Sequence, residues 1–348
     1  MVDLNKLVRR NVAGLKPYST ARDDYSGAIG IFLDANENSL GSATERKFNR
    51  YPDPHQRELK ERLAEIKNIS PECILLGNGS DEVIDLVIRI FCEPRIDRMM
   101  IVPPTYGMYA VSAATNDVEI IAVPLTPGYQ LDIPAILAQA GRVKMIFLCS
   151  PNNPSGNCLA SADVCELLDK FNGIVVIDEA YADFAPGQSL LPELANYNNL
   201  VIMQTFSKAW GLANLRLGMA FANPQIIGWM SRIKYPYNIN GLTQELALMA
   251  LRRIAMKDQM VTTLLAERER LTNLLLELPV VEKVYPSDAN FLLVKFHNAR
   301  RVFEYLISHK IIVRDRSRMV HCENCLRITV GTAPENDILI AKLKEFKS

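Results

Sequence analysis

The chain has 348 residues, 49% of them hydrophobic and 22% charged, with 39 basic side chains against 39 acidic ones. Zero net charge removes the electrostatic case for nucleic acid or an anionic membrane as the main partner. Met1–Tyr18 has no apolar segment of the signal-peptide kind, and no apolar run approaches the ~20 residues of a membrane span, so a cytoplasmic protein is expected. Seven scattered cysteines read as reduced thiols. His321-Cys322-Glu323-Asn324-Cys325 has metal-like spacing but lacks the further pair a zinc site needs, so no metal is expected.

Residues 1–30 read as an N-terminal arm with little core of its own. It includes Ala21-Arg22-Asp23-Asp24-Tyr25, and Ile29–Leu33 is a short strand candidate. A polar turn at Asp34–Asn38, a rigid Tyr51-Pro52-Asp53-Pro54 and a helix over Gln56–Ile66 follow. From Ile74 short apolar runs alternate with amphipathic stretches. The runs are Ile74–Leu76, Met99–Val102, Val118–Val123, Val143–Cys149, Gly173–Ile177, Leu200–Met203 and Leu217–Phe221. Helices are expected over Asp81–Phe91, Tyr106–Thr115, Ile133–Ala140 and Ala162–Phe171. That alternation predicts an α/β fold with a largely parallel sheet wrapped by helices. A long helical region spans about Leu242 to Leu278. A smaller α+β unit follows, with strands near Phe291–Val294, Ile311–Val313 and Leu326–Val330 and helices at Ala299–His309 and Pro334–Phe346.

Five stretches carry candidate chemistry. Gly77-Asn78-Gly79-Ser80-Asp81-Glu82 opens a helix, where free N–H groups and a partial positive charge favour a phosphate; the same residues also serve as a plain helix cap. Pro103 to Tyr109 puts aromatics after a strand, placed to stack on a flat ring or simply to pack. Ser150-Pro151-Asn152-Asn153-Pro154-Ser155-Gly156 is a loop whose amides are aimed at a ligand oxygen or only make a turn. Asp178 ends a β-branched run, and a buried carboxylate needs a cation such as a protonated pyridine nitrogen; Tyr181 follows as a donor. Thr205 to Gly218 follows Leu200–Met203 with Ser207, Lys208 and Arg216: a hydroxyl and a guanidinium for a phosphate, and an amine that burial would make nucleophilic.

In this order the motifs resemble the fold-type I, class II pyridoxal-phosphate-dependent aminotransferases. The likeness runs from Pro17-Tyr18 to the Leu326-Arg327-Ile328-Thr329-Val330-Gly331 ending. That ending, with Tyr106-Gly107-Met108-Tyr109, favours the histidinol-phosphate branch. The resemblance implies an aspartate-aminotransferase-like fold: a mostly parallel seven-stranded sheet in a large cofactor domain, residues 31–250, and a small C-terminal domain, residues 251–348. It implies transamination between L-histidinol phosphate and 2-oxoglutarate; a threonine-phosphate decarboxylase or an aromatic amino-acid aminotransferase would share the cofactor set. Lys208, Asp178 and Tyr181 would be catalytic. Lys208 would bond the cofactor and move the proton, Asp178 would face the ring nitrogen, Tyr181 and Asn153 the phenolate oxygen, and Tyr106 the ring face. Ser80, Asp81, Ser207 and Arg216 would hold the phosphate, with Glu82 in the same turn and Tyr51 reaching in from the neighbouring subunit of a homodimer. Tyr18, Asn36, Arg314 and Arg327 would bind substrate. The wording departs from the family at Ser150, Ser155, Trp210 and Asn214, the last where glycine is usual.

Overall fold

The computed structural model describes residues 1–20 and 30–347. The Ala21–Tyr25 stretch of the arm and the first residue of the expected Ile29–Leu33 strand lie outside the described residues, and residues 30–33 form no strand. Among the described residues the strands make two sheets. The larger holds β1 (Ile74–Asn78), β2 (Arg98–Ile101), β3 (Glu119–Ala122), β4 (Met145–Cys149), β5 (Ile174–Asp178), β6 (Leu200–Thr205) and β7 (Leu217–Ala222). Its order is β1-β7-β6-β5-β4-β2-β3; β3, β2, β4, β5 and β6 run parallel, while β7 is antiparallel to both β6 and β1.

The central strands are continuous apolar runs because both faces are covered. Successive residues divide between two cores: Ile146, Leu148, Val175 and Ile177 on one face, Met145, Phe147, Ile174 and Val176 on the other. The helix Ser80–Phe91 buries Val83, Ile84, Leu86, Val87, Ile88, Ile90 and Phe91. At ~1.5–3 kcal/mol for each fully buried large apolar side chain, that packing fixes where the helix begins. The arm is less independent of the core than expected: Leu4, Val8 and Val12 are buried in the same cluster.

The expected Leu242–Leu278 helix divides into Gly241–Leu251 and Ile254–Leu276, interrupted at Arg252–Arg253 with no glycine or proline to mark the break. The smaller sheet is β8 (Val281–Val284), β9 (Phe291–Phe296), β10 (Arg314–Asp315) and β11 (Cys325–Thr329), in the order β10-β11-β9-β8. The strand expected over Ile311–Val313 is displaced: the paired residues are Arg314 and Asp315, opposite Arg327 and Leu326. Leu292, Val294, Leu326 and Ile328 face the small unit's own core, whereas Leu293 and Cys325 pack with the core of the large sheet. Among the described residues no helix is long and apolar enough to cross a membrane.

Candidate active site

A cavity of about 270 Å³ opens at the carboxyl ends of β1, β4, β5 and β6, the edge where open α/β sheets bind ligands. Its walls include Ser80, Asp81, Tyr106, Asn153, Asp178, Tyr181, Ser207, Lys208 and Arg216, with Arg314 and Arg327 supplied by the small sheet.

The first wall is the start of the helix Ser80–Phe91. Gly79 takes φ +75°, and a Cβ there would lie 2.5 Å from Arg216 Nη2. Gly218 on β7 presses against the same turn: a Cβ would stand 2.3 Å from the Ser80 backbone nitrogen. The two glycines let the helix start, β7 and the Arg216 guanidinium close on one point. Arg216 itself adopts φ 51° and donates to Asp81 Oδ2 at 3.4 Å. Asn214, where a left-handed glycine would be usual, lies in a short 3₁₀ turn without positive φ, so asparagine fits unstrained.

Asp178 ends β5 and is 3% exposed. The Tyr109 hydroxyl donates to its Oδ2 at 2.7 Å and the Ala180 N–H to its Oδ1 at 3.0 Å. Burial raises its pKa above the ordinary carboxylate value, and those two donors pull the other way. Tyr106 stands edge-on to Tyr109, with ring centres 5.6 Å apart, and its hydroxyl donates to Asp81 at 3.3 Å. Burial, with Asp81 and Asp178 nearby, pushes the Tyr106 phenol up to about 12 and keeps it neutral.

Lys208 follows β6 on a turn tied to β7: the Ser207 N–H donates to Thr205 Oγ1 and the Phe206 N–H to the Leu217 carbonyl. The Lys208 amine lies 5.6 Å from the centre of the Tyr181 ring and has no hydrogen-bond or ion-pair partner among the described residues. Its side chain shows surface, but that surface faces the concave cavity, where protein replaces much of the bulk water. Desolvation is therefore the largest cause of its lowered pKa, reinforced by the Arg327 charge. Arg327 Nη1 donates to Asn153 Oδ1 at 2.5 Å, which fixes the amide and leaves its Nδ2 without a partner among the described residues.

Four expected residues lie elsewhere in the single chain. The Glu82 carboxylate accepts from the Asn78 N–H and, at 3.0 Å, from Asn238 Nδ2, so it braces the turn instead of lining the cavity. Tyr51, half exposed, stacks on Tyr237 with ring centres 4.4 Å apart and, with Asn36, borders a separate groove. Tyr18 is 75% exposed on a third surface. Conversely, Cys149, Thr205 and Arg316 line the cavity and Tyr109 supports it without having been singled out individually. Arg316 was not legible, because the strand expected over Ile311–Val313 ends before it; the observed β10, Arg314–Asp315, leads straight into it.

The donor set fits pyridoxal 5'-phosphate. Ser80, Ser207 and Arg216 offer hydroxyls and a guanidinium at the glycine-lined helix start, and a buried carboxylate and an unpartnered amine line the same cavity. The family model for aminotransferase class I and II matches residues 26–343. The chain belongs to that family. This family member is 53% identical over 344 residues to the histidinol-phosphate aminotransferase of Cytophaga hutchinsonii, covering 99% of each chain. It is 52% identical over 348 residues to the enzyme of the same name from Parabacteroides distasonis, covering all of both. The crystal structure of histidinol-phosphate aminotransferase from Sinorhizobium meliloti in complex with pyridoxal-5'-phosphate matches it with a TM-score of 0.79 at 23% identity, over 97% of this chain and 96% of that one. The aminotransferase fold expected from the sequence is the observed one, with β7 and β1 supplying its antiparallel pairs.

Proposed function

We propose that this aminotransferase moves an amino group between L-histidinol phosphate and 2-oxoglutarate, giving imidazole-acetol phosphate and glutamate in histidine biosynthesis. The observation that carries it is the unpartnered Lys208 amine, lining one cavity with the buried Asp178 carboxylate and the guanidinium groups of Arg314 and Arg327. The full-length likeness to histidinol-phosphate aminotransferases favours this substrate over threonine phosphate or aromatic amino acids, whose enzymes need the same cofactor groups.

When bound, pyridoxal 5'-phosphate supplies an aldehyde that accepts the amino group and a cationic ring that draws electrons from the substrate. Ser80, Asp81, Ser207 and Arg216 would hold its phosphate end, through helix N–H groups, hydroxyls and a guanidinium. Asp178 would keep the ring nitrogen protonated, Tyr106 would pack on the ring, and Asn153 Nδ2 and Tyr181 would donate to the phenolate oxygen. Lys208 would hold the cofactor aldehyde, and its free amine would carry the proton from the substrate α-carbon to the cofactor carbon that takes up the amino group; its lowered pKa leaves more of the amine neutral for that work. Arg314 and Arg327 grip the substrate's anionic end. A guanidinium fork pairs with either a phosphate or a carboxylate, as one pocket for both half-reactions requires.

We further place Tyr51 of one subunit at the cofactor phosphate of its neighbour in a cytoplasmic homodimer, and Tyr18 and Asn36 at the substrate. The division into arm 1–30, large domain 31–250 and small domain 251–348 is supported by the two separate sheets. Lys208→Ala tests the assignment: multiple-turnover transamination is expected to be lost, and its survival in the purified variant contradicts the reading.

A further inference from the structure

We propose that Arg316 is a specificity-determining residue that completes, with Arg314 and Arg327, a three-guanidinium seat for a phosphate-monoester dianion on the substrate. This rests on the reading above and extends it to a residue that neither the sequence motifs nor that reading assigns.

The placement follows from strand geometry. Arg314 stands directly opposite Arg327 in the antiparallel ladder, so their side chains share a face. Arg316 is two residues on, and its N–H bonds the Cys325 carbonyl at 2.9 Å, so the ladder continues through it and its side chain returns to that face. That face meets the large sheet, and all three arginines line the cavity that holds Lys208.

Three like charges on one face are destabilising unless something answers them. Among the described residues no carboxylate does. Arg327 spends one N–H on the neutral Asn153 amide, and neither Arg314 nor Arg316 has a carboxylate partner among the described residues. Arg316 Nε is moreover a fully buried donor with no hydrogen-bond partner, an unmet need of the kind native cores rarely leave. Other arginines do have carboxylate partners: Arg98 has Glu119, and Arg270 has Glu267 and Asp337. In the same cavity Arg216 has Asp81. The cavity wall carries the cationic side chains Lys208, Arg216, Arg314, Arg316 and Arg327 against the two carboxylates Asp81 and Asp178. Burial first, and then the charges of Arg327 and Arg314, lower the Arg316 pKa. Two guanidinium groups suffice for a carboxylate. A third matches the second charge and third terminal oxygen of a phosphate monoester, which carries about −1.5 to −2 near neutral pH.

The test uses cofactor-loaded wild type, Arg316→Ala and Arg316→Lys, with L-histidinol phosphate and unphosphorylated L-histidinol as amino donors. Inorganic phosphate serves as a competing ligand, and the cofactor absorbance of each variant reports an intact site. Arg316→Ala is expected to lose about 10- to 100-fold in kcat/KM on the phosphate ester, chiefly through KM, and at least about tenfold less on L-histidinol. Inhibition by inorganic phosphate weakens in parallel. Arg316→Lys recovers part of the loss, since it restores the charge without the fork. Equal losses on the two amines, or no loss on the ester, overturn the seat while leaving the proposed function standing. A wild-type enzyme that does not use the phosphate ester overturns both.

Discussion

Asp178, proposed to set the electronics of the site, has an ionisation balanced between opposing effects. Burial favours the neutral acid, while the Tyr109 hydroxyl and the Ala180 N–H favour the carboxylate. Tyr109→Phe removes one donor to the charged form, so the Asp178 pKa must rise further. The acid limb of the kcat/KM profile is then expected to move to higher pH, with the ring of Phe filling the same space. An unmoved limb, or one moved to lower pH, contradicts the role. Lys208, Asp178 and Asn153 were legible because each stands at the end of an apolar run, where sequence order and sheet position coincide. Tyr109 was less so: its function lies in a hydrogen bond spanning 69 positions, which no local pattern encodes. Glu82 has the acidic character of a site residue, but its turn uses it as the brace that a helix start commonly needs.

Among the elements, the turn between β1 and the helix Ser80–Phe91 sets the geometry of the proposed phosphate end. It holds because Gly218 offers no side chain where β7 meets the Ser80 nitrogen. Gly218→Ala puts a Cβ against backbone, which has no flexible end to yield. It is expected to cost ~1–3 kcal/mol of stability and to weaken cofactor binding about tenfold or more, read by thermal melting and by cofactor titration. Unchanged cofactor affinity would show that the turn is not the phosphate site. The inner strands of the large sheet were readable because burial on both faces forces continuous apolar runs. β8 was missed because Glu282 and Lys283 leave it half exposed, and β10 was shifted because its pairing residues are charged, facing a cavity instead of a core.

At the scale of the molecule, the two sheets meet at a seam where Tyr181, Phe184, Ala209, Val261, Ala289 and Phe291 pack together. Beside it, Asp288 accepts from the Cys158 N–H at 2.7 Å and its own N–H bonds the Gly156 carbonyl. These contacts lock the Asn153 loop to the unit that carries the arginines, so cofactor and substrate groups are held in one frame. Tyr51, proposed to act across a dimer, has no place in the cavity of its own chain, and such a role leaves no intrachain pattern to read. The most direct measurement is an absorbance titration of the cofactor-loaded protein, in which L-histidinol phosphate is expected to convert the aldehyde form of the cofactor stoichiometrically and 2-oxoglutarate to restore it. A cofactor spectrum that ignores L-histidinol phosphate yet responds to another amine would contradict the account.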